Sequence, residues 1–146
     1  MYFDVDFKKE KVDWHGFENR IADIFEEFGY SVERDVRFKT MRRFQIDVIA
    51  SDNNRCFFID CKDHSYIPPS EEESFIIKQK VRAENLLKIR PELTKPKKFL
   101  MLVTRNSTAS LINHEYGGGK VLSVHHSVLN DLLTNISVYE GELLSF

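Results

Sequence analysis

The chain has few of the residues that mark specialised protein classes. Its 146 residues include two cysteines, four prolines, six glycines and one tryptophan. Two cysteines are too few for a disulfide-rich secreted domain, and Cys56 and Cys61 have neither the CxxC spacing nor the histidine partners of a zinc site. We therefore expect two reduced, buried cysteines in a cytoplasmic protein.

The chain also lacks a strong charge of one sign and a long apolar run. Its formal net charge is −2, so contact with nucleic acid would depend on a local basic patch. No apolar run approaches the ~20 residues that cross a bilayer, and we expect no membrane association. The length and the 42% hydrophobic content are typical of a single globular domain over residues 1–146.

Apolar periodicity predicts alternating helices and strands. In chain order these are a helix over 13–28, strands over 30–39, 44–51 and 55–63, a long helix over 70–90, a strand over 98–104, a short helix over 107–116, a strand over 121–124, a helix over about 127–135 and an edge strand in the tail. An antiparallel hairpin followed by strands that return through helices predicts a mixed sheet with helices on both faces. The hairpin is expected to turn at Asn53-Asn54, because asparagine tolerates the positive φ of such turns.

Charged residues interrupt the apolar faces of this hairpin, whose strands contain Q-I-D-V-I-A and F-F-I-D-C-K. A two-residue turn places Asp47 opposite Asp60 and Gln45 opposite Lys62. Because strand side chains repeat every second residue, we expect Asp47, Asp60 and Lys62 to share one face.

Two directly opposed acids destabilise a sheet, so their presence predicts either a shared proton or a bound cation. Oxygen ligands in an incomplete shell suit Mg²⁺ or Mn²⁺ better than zinc. Lys62 is placed to offset the excess charge, hold a water or meet a phosphate oxygen. Glu18, at the border of the apolar face of the first helix, is a further candidate. The competing interpretation is a surface hairpin with solvated acids and an ion-paired lysine.

These stretches, together with G-F-E on the first helix and G-Y-S-V before the first strand, resemble the PD-(D/E)xK nuclease superfamily. Within it they are similar to the Mrr-type restriction endonucleases and the archaeal Holliday junction resolvases, over about the first two-thirds of the chain. The resemblance implies a restriction endonuclease-like α/β fold of three layers, α/β/α, around a central mixed sheet of about five strands. It also implies a Mg²⁺-dependent deoxyribonuclease that hydrolyses phosphodiester bonds.

By this resemblance Asp47 and Asp60 bind the metal, and Glu18 helps to hold it. The backbone carbonyl of Cys61 would be a further ligand, and Lys62 would assist the attacking water. The sequence departs from the superfamily pattern because no proline precedes Asp47 and because the second acid is an aspartate where glutamate is commoner. The Ser/Gly-rich loop of the resolvases is also missing.

Candidate contacts to DNA phosphates lie on the first strand, the link after it and the following long helix. They are Arg34, Arg37, Lys39, Arg42, Arg43 and Lys80, with Gln79 as a secondary candidate. A solvated strand edge whose cations discourage strand pairing explains the first five equally well. Two other functions stay open: a Holliday junction resolvase-like nuclease acting as a homodimer, and a protein on the nuclease fold that binds nucleic acid without cutting it.

Overall fold

A computed structural model of the protein describes residues 16–64, 69–106, 111–117 and 119–143. The helices are α1 (16–27), α2 (Pro69–Ile89), α3 (Leu129–Thr134) and α4 (Ile136–Leu143), and the strands are β1 (Ser31–Lys39), β2 (Arg43–Ser51), β3 (Arg55–His64), β4 (Lys97–Asn106), β5 (Leu111–Tyr116) and β6 (Gly119–His125). Short 3₁₀ turns cover Pro91–Leu93 and His126–Val128.

The six strands form one mixed sheet in the order β1-β2-β3-β4-β6-β5. β1, β2 and β3 are antiparallel neighbours, whereas β3 and β4 run parallel. Parallel neighbours need a crossover, which α2 supplies between β3 and β4. β4 lies in the middle, where Met101, Leu102 and Val103 are at most 2% exposed. The unbroken apolar run of this segment predicts a strand covered on both faces, and the burial of β4 confirms that prediction.

Helices cover the sheet on both faces and create two separate apolar cores. On one face α1 and α3 pack over a cluster that includes Phe17, Phe57 and Leu132, which we call the α1-side core. On the other face α2 packs over a cluster that includes Leu86 and Leu102, which we call the α2-side core. The predicted three-layer restriction endonuclease-like fold is confirmed, with six strands in the sheet instead of about five.

Two predicted elements at the C-terminal end are wrong. Within the range 107–116, where a short helix was expected, Leu111–Tyr116 form β5, which pairs antiparallel with β6. Residues 107–110 lie outside the described residues. Where the tail strand was expected, the described residues up to Leu143 belong to helix α4, and residues 144–146 lie outside the described residues. Ile136 extends the helical stripe of Leu129 and Leu133 into the α1-side core. Tertiary packing, which the local pattern does not contain, decides both segments.

Two turns show how local chemistry ends the elements. Gly29 has a φ of 92° and ends α1 in the left-handed conformation expected of it. In the β2–β3 turn the expected positive φ is wrong, since Asp35 is the one non-glycine residue with positive φ in the described parts of the chain. Instead, the Asp52 carboxylate accepts hydrogen bonds from the backbone N–H groups of Asn54 (2.8 Å) and Arg55 (2.7 Å), which stabilises the turn without that geometry.

Two further features are the buried cysteines and the ion pairs of α4. Cys56 and Cys61 are both buried and free, as predicted. Glu140 on α4 pairs with Arg55 (2.8 Å) and with Lys97, which fastens α4 to the edge of β3 and β4. No helix among the described residues is long and apolar enough to cross a membrane.

Candidate active site

The candidate site forms where β2 separates from β3. The two strands pair from Ser51 and Cys56 to Val48 and Ile59, which is the register predicted from the turn. The ladder stops there, although both strands continue. The predicted pairing of Gln45 with Lys62 is therefore wrong: Gln45 donates a hydrogen bond to Asp35 of β1 instead, at 2.8 Å.

Asp47 lies directly beyond the last backbone pair between β2 and β3. Its Oδ2 accepts the hydrogen bond of the Cys61 backbone N–H at 2.9 Å, so a carboxylate takes the role of the missing strand carbonyl. Asp47 also shares a hydrogen bond with the side chain of Asp60. The two acids thus meet as the register predicted, at the point where the strands diverge.

The electrostatics of Asp47 show a strained pair of acids. Burial, the hydrogen bond with Asp60 and the charges of Asp60 and Glu18 raise the pKa of Asp47 to about 8, against the lowering effect of the Cys61 N–H. Asp47 therefore carries a proton near neutral pH and shares it with Asp60. Two opposed acids are stabilised either by a proton that they share or by a cation that binds between them. The raised pKa of Asp47 corresponds to the first of these two cases.

Asp60 is a residue of β3, and its side chain lies between β3 and α2 with 7% of the residue's surface exposed. Its Oδ2 is 3.7 Å from Lys62 Nζ, 3.7 Å from Arg82 Nη1 and 3.5 Å from Gln79 Nε2, which donates a long hydrogen bond. Lys62 is half exposed, with 49% of its side chain accessible, whereas the Arg82 side chain is 17% exposed. The amine therefore faces solvent and the guanidinium lies inside the fold.

Arg82 was missed in the sequence analysis. It lies three residues after Gln79 on α2, a spacing that places two side chains on one helical face. Once Gln79 was considered for the site, this spacing was the signal that could have found Arg82. Its neighbour Lys80 turns elsewhere, since its stem packs beside Gly119 at the β5–β6 turn.

Glu18 lies on α1 and acts on Asp47 and Cys61 through its charge. It does not complete a ready-made cage, because no group of three or more His, Cys, Asp or Glu residues capable of holding a metal occurs in the described parts of the chain. The Cys61 thiol faces the α1-side core, where burial raises its pKa.

The predicted DNA-contacting cations separate into two sets. Arg34 pairs with Asp23 (2.7 Å) and Glu26 (2.9 Å) of α1 and is therefore committed to the fold. The other cations of this region extend beyond the carboxyl pair, on the part of the β1–β2 hairpin that is not joined to β3. They are Arg37, Lys39, Arg42 and Arg43.

A second polar cluster has the bond pattern of a hydrolytic triad, which sequence reasoning did not find. His114 Nε2 is 3.0 Å from Ser123 Oγ, and its Nδ1 is 2.8 Å from Glu72 Oε2. His114 on the edge strand β5 and Ser123 on the neighbouring β6 are each 4% exposed, so no substrate can reach the hydroxyl. The cluster joins α2 to β5 and β6.

A six-stranded sheet with helices on both faces and an acid–acid–lysine set at diverging strands defines the restriction endonuclease-like class. The family model described as the nuclease-related domain, NERD, matches residues 13–113. The chain belongs to this family, which is part of the PD-(D/E)xK nuclease superfamily.

Other comparisons add little to this assignment. A crystal structure of a protein of unknown function, AF1548, is similar with a TM-score of 0.44 and 18% identity, over 63% of this chain and 47% of that one. The chain thus spans about half the length of that protein. No curated protein matches the chain.

Proposed function

We propose that this protein is a metal-dependent endonuclease that hydrolyses phosphodiester bonds of DNA. The observation that carries the proposal is the partly buried, hydrogen-bonded pair Asp47 and Asp60, with Lys62 beside it. Two acids held this close on neighbouring strands destabilise the sheet unless a proton or a cation lies between them. The retention of this pair is explained if a divalent cation takes the place of the proton when substrate binds.

The residues fit Mg²⁺ or Mn²⁺. Asp47, Asp60 and the backbone carbonyl of Cys61 would supply hard oxygen ligands, and Glu18 would act through a water. Mg²⁺ keeps several waters and takes few protein ligands, so the lack of a complete protein cage is compatible with it. When bound, the ion would polarise the phosphate and lower the pKa of a coordinated water.

Each protein group has a separate task in this proposal. Asp47 and Asp60 fix the position of the ion, and Asp47 is itself held by the Cys61 N–H. Lys62, whose amine reaches solvent, would orient the attacking water or stabilise charge on the phosphate. Arg82 and Gln79 hold the Asp60 carboxylate in place from the side of α2.

Two isosteric substitutions test the proposal. Asp47→Asn and Lys62→Met should each lower Mg²⁺-dependent cleavage of plasmid DNA at least about 10²- to 10³-fold. The matched controls are Asp131→Asn on α3 and Lys88→Met at the end of α2, both exposed and far from the site, and these should cut normally. The proposal fails if both site variants, with unchanged circular dichroism, cut like the controls.

A substrate panel separates the finer alternatives. An Mrr-type enzyme should cut linear duplex, with an effect of methylation, whereas a resolvase-like enzyme should prefer a four-way junction and act as a homodimer in sedimentation. A protein that binds without cutting should show no Mg²⁺ or Mn²⁺ binding that depends on Asp47 and Asp60 in calorimetry.

A further inference from the structure

The outer hairpin, defined as residues 36–46, combines charge and exposure in an unusual way. These eleven residues contain four cations and no acid in a chain whose net charge is −2. Met41 at the tip is 98% exposed. Among the described large apolar residues the next most exposed is Val138, at 75%. Met41 is therefore a fully exposed apolar side chain with Lys39, Arg42 and Arg43 close to it in the chain.

Contacts on both sides of Met41 brace the tip. Phe38 and Phe44 stack with ring centroids 5.3 Å apart, and the Arg42 guanidinium lies 4.8 Å from the Phe44 ring. The Thr40 hydroxyl donates to Asn85 Oδ1 on α2 at 2.9 Å. Such bracing lowers the entropy that is lost when the tip binds.

The charges of the tip suit a polyanion. Arg37 pairs with Asp35 at 3.1 Å, whereas Lys39 and Arg43 are exposed and have no ion pair within the described parts of the chain. Cations around an exposed apolar wedge are typical of proteins that enter the DNA minor groove and unstack a base step, for which methionine is a suitable side chain.

The position of the tip sets a distance from the carboxyl pair. Four residues of extended strand separate Asp47 from Arg43, which corresponds to about 13 Å. With a rise of about 3.4 Å per base pair, this is about four base pairs. Met41 lies two residues beyond Arg43, so it lies about four to six base pairs from the carboxyl pair, depending on how far the tip bends.

From these observations we propose that the outer hairpin grips the minor groove of duplex DNA, and that Met41 wedges between base pairs about four to six base pairs from the phosphate that is cut. The inference rests on the proposed nuclease function and adds the substrate class, a duplex that is locally unstacked. Arg42 and Arg43 would neutralise phosphates on either side of the wedge.

The test uses Met41→Ala, with Val138→Ala on α4 as the matched control. Binding is measured with Ca²⁺ in place of Mg²⁺, so that cleavage is suppressed, on a duplex carrying 2-aminopurine at successive positions. Wild type and Val138→Ala should raise the fluorescence at one step about four to six base pairs from the cut. Met41→Ala should lose this rise and bind duplex about tenfold more weakly, because a methionine side chain is no longer buried.

A charge variant provides a second measurement. Arg42→Gln with Arg43→Gln should reduce the slope of log affinity against log salt by about two, the amount expected for two lost phosphate contacts. The inference is overturned if Met41→Ala binds duplex like wild type, if the fluorescence rise persists, or if single-stranded DNA is bound as tightly as duplex and is affected equally.

Hydrolysis of bis(4-nitrophenyl) phosphate separates this inference from the proposed function. This small diester needs only the carboxyl pair and Lys62, so Met41→Ala should hydrolyse it at the wild-type rate. If wild type fails to hydrolyse the small diester and DNA, the nuclease proposal fails while the binding test still decides the wedge. If wild type hydrolyses both but Met41→Ala leaves duplex binding and fluorescence unchanged, the wedge alone fails.

Discussion

The two halves of the β1–β2 hairpin have the same antiparallel pairing but opposite environments. In the inner half, Val48, Ile49 and Ala50 are at most 1% exposed, and β2 is also paired with β3. In the outer half the strands pair only with each other, and cations alternate with apolar residues, of which Ile46 alone is fully buried. Pairing with a third strand, and not local sequence, therefore buries the inner half of β2 and leaves its outer half largely exposed.

The junction between the halves lies at Asp35 and Asp47. Pairs Arg34–Val48 and Val36–Ile46 flank it in unbroken register, so Asp35 falls opposite Asp47. Asp35 has a φ of 50°, and the faces exchange there: Arg34 contacts α1, whereas Val36 packs into the α2-side core. This exchange turns the outer half away from β3 and leaves the Asp47 carboxylate free to meet Cys61 and Asp60.

The largest expected difference between the halves is in stability. Ile49→Ala in the inner half should lower the free energy of unfolding by about 2–5 kcal/mol. Phe44→Ala in the outer half should lower it by about 1 kcal/mol or less, because that ring is only partly buried. Urea unfolding of both variants measures this. Equal losses would show that the outer half is as much a part of the core as the inner half.

The second prediction tests whether the site where the halves part depends on α2. Arg82→Gln should lower DNA cleavage about 10- to 100-fold and raise the Mg²⁺ concentration for half-maximal rate, because Asp60 loses a positioning cation. Arg82→Lys should recover part of the rate, and Lys88→Gln is the exposed control on the same helix. A lower melting temperature with an unchanged Mg²⁺ dependence would indicate a purely structural role.

The third prediction concerns the junction itself. Asp35→Val should cost about 1–2 kcal/mol, because a β-branched residue is strained at positive φ. Asp35→Asn should be nearly neutral, since asparagine tolerates that conformation and can still accept the hydrogen bond from Gln45. Urea unfolding of the two variants gives the comparison, and a neutral Asp35→Val would contradict the role of this backbone conformation.

The last prediction concerns pH, whose effect should develop gradually over several pH units. The pKa of Asp47 is raised in the fold to about 8, above its unfolded value of about 4. Its contribution to stability is therefore fully present below about pH 4 and is lost as the pH rises through about 8. Unfolding in EDTA between pH 5 and pH 9 should show this decline.

Asp47→Asn should flatten the decline, because the amide does not titrate, and its stability at pH 8 should equal or exceed that of wild type. At the high end of this pH range, Mg²⁺ should also restore the stability of the wild-type protein, since a cation replaces the lost proton. A wild-type profile as flat as that of Asp47→Asn would contradict a shared proton between Asp47 and Asp60.

Local signals were sufficient for the elements that lie next to each other in the chain. The turn at 53–54 fixed the register of β2 and β3, and with it the meeting of Asp47 and Asp60, because a hairpin register depends on loop length. The left-handed stop at Gly29 and the central strand β4 followed from single residues and an unbroken apolar run. The point at which the pairing of β2 with β3 ends could not be predicted from such signals, because strand separation depends on what packs against each strand.

By itself the sequence determined the fold class, the hairpin register and the acid pair with its lysine, all of which are encoded by periodicity and short-range spacing. The tertiary structure decided that Arg82 reaches Asp60 across twenty-odd residues of chain, that Leu111–Tyr116 form a strand, and that β2 leaves β3 at Asp47. These depend on contacts between segments distant in the chain, and the free energy of such packing outweighs local preference.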